Sequence, residues 1–478
     1  MKQYIFSFLV VILFGFQGIT QDVQMSEGFT MRTDHKYEII GKVDGKILLY
    51  RNETNQFTIH TFDKELKSSK ETKLKLGKNY LKFIGLTATS KDFTILFSHR
   101  VKGNTYVQAH KYDGKIKLID STTIKIYERR SFAPIFQMVK SQNKQVGLLY
   151  NVDREKVIET LIFDTKKMEL LSEYNYQPKD LYFRRDFIDF LVGNDGSSHL
   201  ILEKDNDKLK KTQNRFEFYS VNAGETMERS YMISFKDTLW YDVYFEYDNL
   251  NHRIVAGGFY ANDFLTKTLG YFYMNINPRN EQDYTLSYQE FDTDFVHEVL
   301  GKHNKKSKKD GFAEVDIQEI VLRSDGGILL IAERNRQYVR QTSSMGTSYG
   351  GRNQTGSQID YYFNDLLVFS IHPTGKLHWK DILHKKQYSQ DDNAMYSSYF
   401  LLKTRSNLRF LYNDEIKQEN VVNEYIVTGV GEPDRKNIMN TSGAELMLVM
   451  KNALQISADE VIIPSERRRQ LKLVKLTY

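Results

Sequence analysis

The chain has 478 residues, a formal net charge of +6 and no cysteine. The missing thiols exclude disulfides, thiolate metal sites, a cysteine nucleophile and the lipidated cysteine of a bacterial lipoprotein, so the fold rests on packing alone. Most of the charge is local, because residues 302–310 carry five lysines against one aspartate, and this argues against nucleic-acid binding, which spreads cations and stacking aromatics along a face.

The N-terminal stretch MKQYIFSFLVVILFGFQGITQDVQ has one cation, Lys2, then an apolar run from residue 4 to residue 16, then Gly18 and Thr20. This is the anatomy of a signal peptide over 1–20, cleaved before Gln21. The run is shorter than the roughly 20 residues of a membrane span, and no later segment is apolar for that long, so the mature chain is expected to lack a transmembrane helix. Export without disulfides points to a bacterial periplasm or cell surface.

From there on, β signals dominate. Aromatics make up 13% of the chain, with 31 Tyr and 30 Phe against 6 Pro, and short β-branched runs recur. A polar turn followed by a compact apolar run appears eight times, as DGKILLY, KDFTILF, NKQVGLLY, DGSSHLILE, NHRIVAGG, DGGILLIAE, SNLRFLY and DEVIIP. Their first strongly apolar residues are Ile47, Phe93, Val146, Leu200, Ile254, Ile328, Leu408 and Val461, at intervals of 46, 53, 54, 54, 74, 80 and 53 residues. The two long intervals hold insertions, a lysine loop near 301–311 and the Ser/Gly-rich SSMGTSYGGRNQTGS near 343–358. A repeat of about 50 residues is the period of propeller blades. Runs such as ILLY, LLIA and VIIP are continuous rather than alternating, as in strands dry on both faces and sandwiched between blades.

The expected fold is therefore all-β, a single propeller of seven or eight four-stranded blades over 21–478. The eighth run leaves too little chain for a whole sheet, so a strand from DVQMSEGFTMR is expected to close the ring with the C-terminal strands. In DLLVFSIHPTGKLHWKDIL, Pro373, Thr374 and Gly375 make the turn of a hairpin that forms the outer half of a blade. Trp379 is placed against the neighbouring blade, with its N–H at the rim. The alternation in GYFYMNIN and the terminal LKLVKLTY leave an outer-membrane barrel as the alternative.

The segments YYFNDLLVF, GKLHWKDILHKKQ and YSSY, followed by LYND and DEVIIPSERRRQLKLVKLTY, resemble uncharacterised exported proteins of Bacteroidota. The resemblance covers mainly the C-terminal third and implies a periplasmic or surface propeller, with no active site to transfer. The chain ends on its last strand, which favours the periplasm.

No G-x-x-x-x-G-K-[ST], G-x-S-x-G or H-E-x-x-H occurs. Asp292, Asp294, His297, Glu298 and His303 lie close together, but their spacing fits no calcium loop and sets the two histidines off a shared helical face, so they read as a solvated inter-blade loop rather than a metal site. Asp189, Glu246, Glu333 and Asp365 are the acids that could converge at the mouth of the ring for glycoside chemistry. Arg129 with Arg130, Arg184 with Arg185, and Arg467, Arg468 and Arg469 recur near strand ends, where they could line one face.

No catalytic, metal or cofactor residue is assigned. The preferred function is a non-enzymatic protein-binding or scaffold module, an accessory to an outer-membrane assembly, and the alternative is a carbohydrate-binding or carbohydrate-active propeller. The partner-binding residues expected from the two insertions are Lys305, Lys306, Lys308, Lys309, Tyr349 and Arg352, because loops on a rigid scaffold carry binding.

Overall fold

The computed structural model describes residues 22–478 except 33–34, 54–55, 68, 77–79, 129–131, 155, 208, 210–212, 226, 236, 263, 302–310, 344–354, 415, 417–420, 442 and 444. Residues 1–20, expected from sequence to be a signal peptide, lie outside the described residues.

Eight antiparallel sheets follow one another along the chain, each a meander of four strands, here a to d from the axis outward. Blade 1 is Lys36–Val43, Lys46–Glu53, Gln56–Phe62 and Ser69–Lys73. Blades 2 to 7 occupy 82–127, 137–176, 187–234, 239–290, 315–390 and 399–440. Blade 8 begins at Leu454–Gln455, continues through Glu460–Arg467 and Gln470–Thr477, and takes its outermost strand from the other end of the chain. Strands a of blades 1 to 6 touch in sequence, and strand a of blade 8 touches that of blade 1. The fold is a β-propeller of eight blades, and separate sheets arranged radially exclude the barrel alternative.

The apolar runs found in the sequence are the second strands, b, not the innermost ones. Their continuity has a simple cause. In the run from Ile47 to Tyr50, Ile47 and Leu49 enter the layer between blades 8 and 1, while Leu48 and Tyr50 enter the layer between blades 1 and 2. Alternate side chains point to opposite faces of a strand, and here both faces are dry. The same division holds at the last run, where Val461 and Ile463 face blade 7 and Ile462 faces blade 1. The buried apolar residues accordingly form eight layers, one between each pair of neighbouring blades. Each fully buried Leu, Ile or Phe in such a layer contributes about 1.5–3 kcal/mol.

Ring closure joins Asp22–Met25 to Gln470–Thr477, with Asp22 opposite Thr477 and Met25 opposite Val474. The ladder continues through Ser26, whose N–H donates to the Leu473 carbonyl at 2.9 Å and whose Oγ accepts the Leu473 N–H at 2.9 Å. Phe29 and Met31 then enter the layer between blades 8 and 1. Strand order and register agree with closure by N- and C-terminal strands.

The hairpin around Pro373 is strands c and d of blade 6, the outer half of the sheet. Trp379 packs against blade 7, its Nε1–H donating to the Gly429 carbonyl at 3.1 Å. A Cβ on Gly431 would lie 2.5 Å from the indole, at φ +95°, so glycine there permits the blade-to-blade contact. Among the described residues no helix is long and apolar enough to cross a membrane.

Removing residues 22–31 should lower stability relative to the chain that begins at residue 21 by about 3–5 kcal/mol, through lost burial and ladder hydrogen bonds. Hydrogen exchange resolved along the chain should show the protection loss concentrated at Gln470–Thr477. Exchange unchanged in that strand would show that the closure is not what holds it.

Candidate functional site: one face and the axial channel

The meander fixes which connections share a face. With each blade running a, b, c, d, the a–b and c–d turns lie on one face of the ring, and the b–c turns and the links to the next blade lie on the other. Both insertions belong to the second set. The lysine loop falls between helix α1 (Thr293–Leu300) and strand a of blade 6, and the Ser/Gly-rich segment falls at the b–c turn of the same blade. A direct pairing confirms the shared face, since Thr268 in the b–c turn of blade 5 exchanges backbone hydrogen bonds with Phe312 just after the lysine loop, at 2.8 and 3.2 Å.

Helix α1 replaces the solvated loop expected around Asp292. Asp292 caps it by accepting the Phe295 N–H at 2.8 Å, and Phe295, Val296 and Val299 are buried between blades 5 and 6. The aspartate's neighbours are therefore a helix start and Lys380, which it pairs with. Among the described residues no group of three or more potential ligands could hold a metal ion.

Strands b and c of blade 6 are long, Ile328–Ser343 and Thr355–Ile371. Residues 328–334 pair within the blade, whereas 335–343 continue beyond strand a, paired only with 355–363. Nine residues at about 3.3 Å each give an arm about 30 Å long on the insertion-bearing face. Gln387–Gln390 pairs with its base as a fifth strand. Directly opposed residues share a face, which groups Arg336, Tyr362 and Tyr388, then Tyr338 with Asp360. The Arg336 guanidinium lies 4.1 Å over the Tyr338 ring and 5.1 Å over that of Tyr362, whose centroid is 5.1 Å from that of Tyr388. Tyr388 and Arg340 both donate to Asp360, at 2.8 and 2.7 Å.

The arm is anchored by a buried polar network. The Lys385 ammonium and Glu333 carboxylate are 2.5 Å apart with both side chains 0% exposed. Ser398 donates to Glu333 at 2.6 Å, and Gln387 reaches the Asn413 carbonyl of blade 7 at 2.6 Å. Arg334 donates to the Val299 carbonyl of α1 at 2.5 Å. Burial pushes the Lys385 ammonium below its usual range, opposed by Glu333.

The axial channel is lined by strands a, which interleave polar and apolar residues, as in KYEIIGKV and LWYDVYFEYD, where strands b are continuously apolar. A cavity of about 740 Å³ is lined by Gln142 and Lys144 of blade 3 together with residues of blades 6, 7 and 8. Only the axis can bring non-adjacent blades to one cavity. Strands a of blades 1, 2, 4, 5 and 6 each carry a bulge against strand b, and the residue after it is Gly41, Gly85, Asp189, Asp242 and Glu319 in turn. A bulge re-aims a side chain, and in three consecutive blades that side chain is acidic. Asp189 is pushed up to about 6 by burial, against the Phe190 N–H that donates to it at 2.8 Å. Glu246 is raised by burial and feels Lys403, Asp189 and Glu319. Glu319 sits between Lys403 at 3.3 Å and the Tyr399 hydroxyl at 3.4 Å.

Of the acids singled out from sequence, Asp189 and Glu246 come together on the channel wall. Glu333 does not, being consumed by the Lys385 pair, and Asp365 lies off the channel with His384 at 3.1 Å. Arg184, Arg185, Arg467, Arg468 and Arg469 all lie at connections of the insertion-bearing face, on blades 4 and 8; Arg185 pairs with Asp186 at 2.6 Å and Arg467 with Glu445 at 3.4 Å. Arg129 and Arg130 lie outside the described residues, as do His303 and the partner-binding positions Lys305, Lys306, Lys308, Lys309, Tyr349 and Arg352. Sequence reasoning missed Arg336, Tyr338, Tyr362 and Lys385; the alternation RNRQYVR opposite QIDYYF was the available signal.

No family model and no curated protein matches the chain. Solved structures to which it is similar include the Dos1 propeller, at 10% identity and TM-score 0.45, covering 95% of this chain and 94% of that one. An uncharacterised protein of Listeria monocytogenes EGD-e gives 10% and 0.39 over 80% and 90%. An oligogalacturonate lyase in complex with manganese gives 9% and 0.39 over 96% and 98%. At this identity and overlap the likenesses assign no activity.

Two outcomes follow from the site. Glu333→Gln or Lys385→Met alone should cost about 3–5 kcal/mol in denaturant unfolding, while Glu333→Leu with Lys385→Met together should recover most of it, since the pair no longer leaves an uncompensated charge. For Asp189, the folded value near 6 lies above an unfolded value of about 3.9. The native state then holds the proton more tightly, so its contribution is present below about pH 4 and lost as pH rises to about 6. Asp189→Asn should therefore exceed wild type in stability at pH 7, by up to about 3 kcal/mol, with the difference vanishing toward pH 4; a constant difference across that range would refute the assignment.

Proposed function

We propose that the protein is an exported, periplasmic or cell-surface propeller that acts as a non-enzymatic binding or scaffold module, accessory to an outer-membrane protein assembly of the Bacteroidota type. The observation that carries this reading is that the arm of blade 6 and the chain ends flanking both insertions lie on a single face. A rigid ring that places its variable loops together is the usual architecture of a recognition surface.

Side-chain chemistry on that face supports the same reading. Tyrosine and arginine are the residues most enriched at the centres of protein interfaces, and the arm stacks Arg336 against Tyr338 and Tyr362. Large apolar side chains are exposed at connections of the same face, including Phe132 (87%), Ile135 (67%), Tyr182 (61%) and Phe264 (61%). The buried anchor at Lys385 holds the arm in place before a partner arrives, which lowers the ordering cost of binding.

Native pull-down from membranes with the full mature chain tests this. Replacing 340–358 with an Asn-Gly turn closed by Val339 and Ile359 shortens the arm and keeps the pairing of Asp360–Phe363 with the fifth strand. The shortened protein should keep the wild-type melting temperature and lose its partner by at least tenfold. Equal recovery of the same partner by both proteins, or no partner for either, would count against the proposal.

A further inference from the structure

The arm of blade 6 carries an unprotected sheet edge. Asn335, at its base, donates its N–H to the Glu314 carbonyl at 3.0 Å, on the side of strand a. From Asn335 to Ser343 the register against strand c runs without a bulge. Alternate residues of such a strand turn their N–H and C=O groups to opposite edges, so Gln337, Val339 and Gln341 turn theirs the same way as Asn335, past the reach of strand a. Strand c shows the same parity. Ile359, directly opposite Val339, donates its N–H to the Asp391 carboxylate at 2.8 Å and accepts the Asp391 N–H at 3.0 Å, both on the side away from Val339. Among the described residues nothing pairs with the backbone of Gln337, Val339 or Gln341.

Sheet proteins blunt such edges with lysine, proline, bulges or short length. The outermost strands here follow that rule: Leu118–Tyr127 is bulged, and Pro433–Asn440 begins with proline and carries Lys436. The arm edge QYVRQ has none of these devices, and at its centre Val339 is 63% exposed and Tyr338 44%. Its charges are balanced within the chain, since Arg340 donates to Asp360 at 2.7 Å and Arg336 lies 3.6 Å from Glu314.

The edge also fits itself. Two copies placed antiparallel about a two-fold axis at Val339 set Val339 against Val339, Gln337 of each against Gln341 of the other, and Tyr338 of each against Arg340 of the other. Residues with outward N–H and C=O groups then meet residues of the same kind, so the ladder closes. No arginine faces an arginine, and a guanidinium opposite a tyrosine ring is a favourable cross-strand pair. In this register Asn335 falls opposite Ser343, which holds the two rings about one arm length apart with their insertion-bearing faces toward each other. We propose that the open edge of the arm pairs with the same edge of a second copy of this chain, giving an isologous dimer joined by a four-stranded antiparallel sheet. This does not rest on the partner-binding reading, because the purified chain alone shows it.

Sedimentation velocity of the purified chain from residue 21 tests the pairing. An edge contact is small, so the dissociation constant should be about 1–100 µM, with dimer giving way to monomer on dilution. Val339→Lys puts like charges on the two-fold axis and should weaken the dimer by about tenfold or more, at an unchanged melting temperature. The chain has no cysteine, so cross-links report on introduced thiols alone. Val339→Cys should cross-link to itself under mild oxidation, because the Cα atoms of a hydrogen-bonded antiparallel pair lie about 5.5 Å apart. Val430→Cys, at a position 65% exposed on the opposite face, should not. A dimer undiminished in Val339→Lys, or equal cross-linking by the two cysteine variants, would overturn the proposal. So would a chain still monomeric at about 200 µM, which would leave the edge to an extended strand of another protein.

Discussion

The structure depends on one antiparallel pairing, that of Asp22–Met25 with Gln470–Thr477. Every blade is dry on both sides, so every blade needs two neighbours. A linear array of such sheets would leave one apolar face of the first blade and one of the last in water, together with two unpaired edges. Joining the ends removes both liabilities at once. Because the closing strand comes from the start of the chain and its partner from the end, the ring is completed only when both termini are in place, which ties the alignment of all eight blades to one contact.

Closure also explains the distribution of polarity. Strands d add single residues to the apolar layers, such as Tyr127, Tyr176, Ile233 and Leu383, but their outer edges face solvent: Ser69–Lys73, Leu118–Tyr127 and Pro433–Asn440 are mostly exposed, with lysine, threonine, aspartate and asparagine along them. Charged outer edges discourage pairing with other sheets. Strands a have the opposite problem, since their inner edges meet at a narrow axis. Among the described residues five strands a carry a bulge, and the residue after it is glycine in blades 1 and 2 and acidic in blades 4 to 6.

Against that rigid ring, blade 6 is the exception. Its second and third strands run well past the sheet, and the protein commits a buried lysine, a buried glutamate, a glutamine and a serine to holding their base. Buried ion pairs rarely add net stability compared with apolar packing. Their use here fits a requirement for one defined arm direction, and the ladder of Arg336, Tyr338, Tyr362 and Tyr388 is presented by it. The arm is thus a feature of blade 6 alone and no part of the repeat that makes the fold.

A ring of seven or eight blades and the route of its closure were legible in the residues themselves, because a strand buried on both faces must be continuously apolar and the period of about 50 residues is that of a blade; that there are eight was decided by the structure. The Trp379 contact was legible for the same reason, a large ring beside a turn at a blade edge. Which strand each run becomes was not: the runs are second strands, since the first strands hide their polarity in the channel and carry no continuous apolar signal. Nor could the sequence separate Asp189 and Glu246, which meet on the channel wall, from Glu333, which is sealed against Lys385 more than fifty positions away. Burial and charge partners are set by the path of the whole chain, and side chains distant in sequence become neighbours only when the ring shuts.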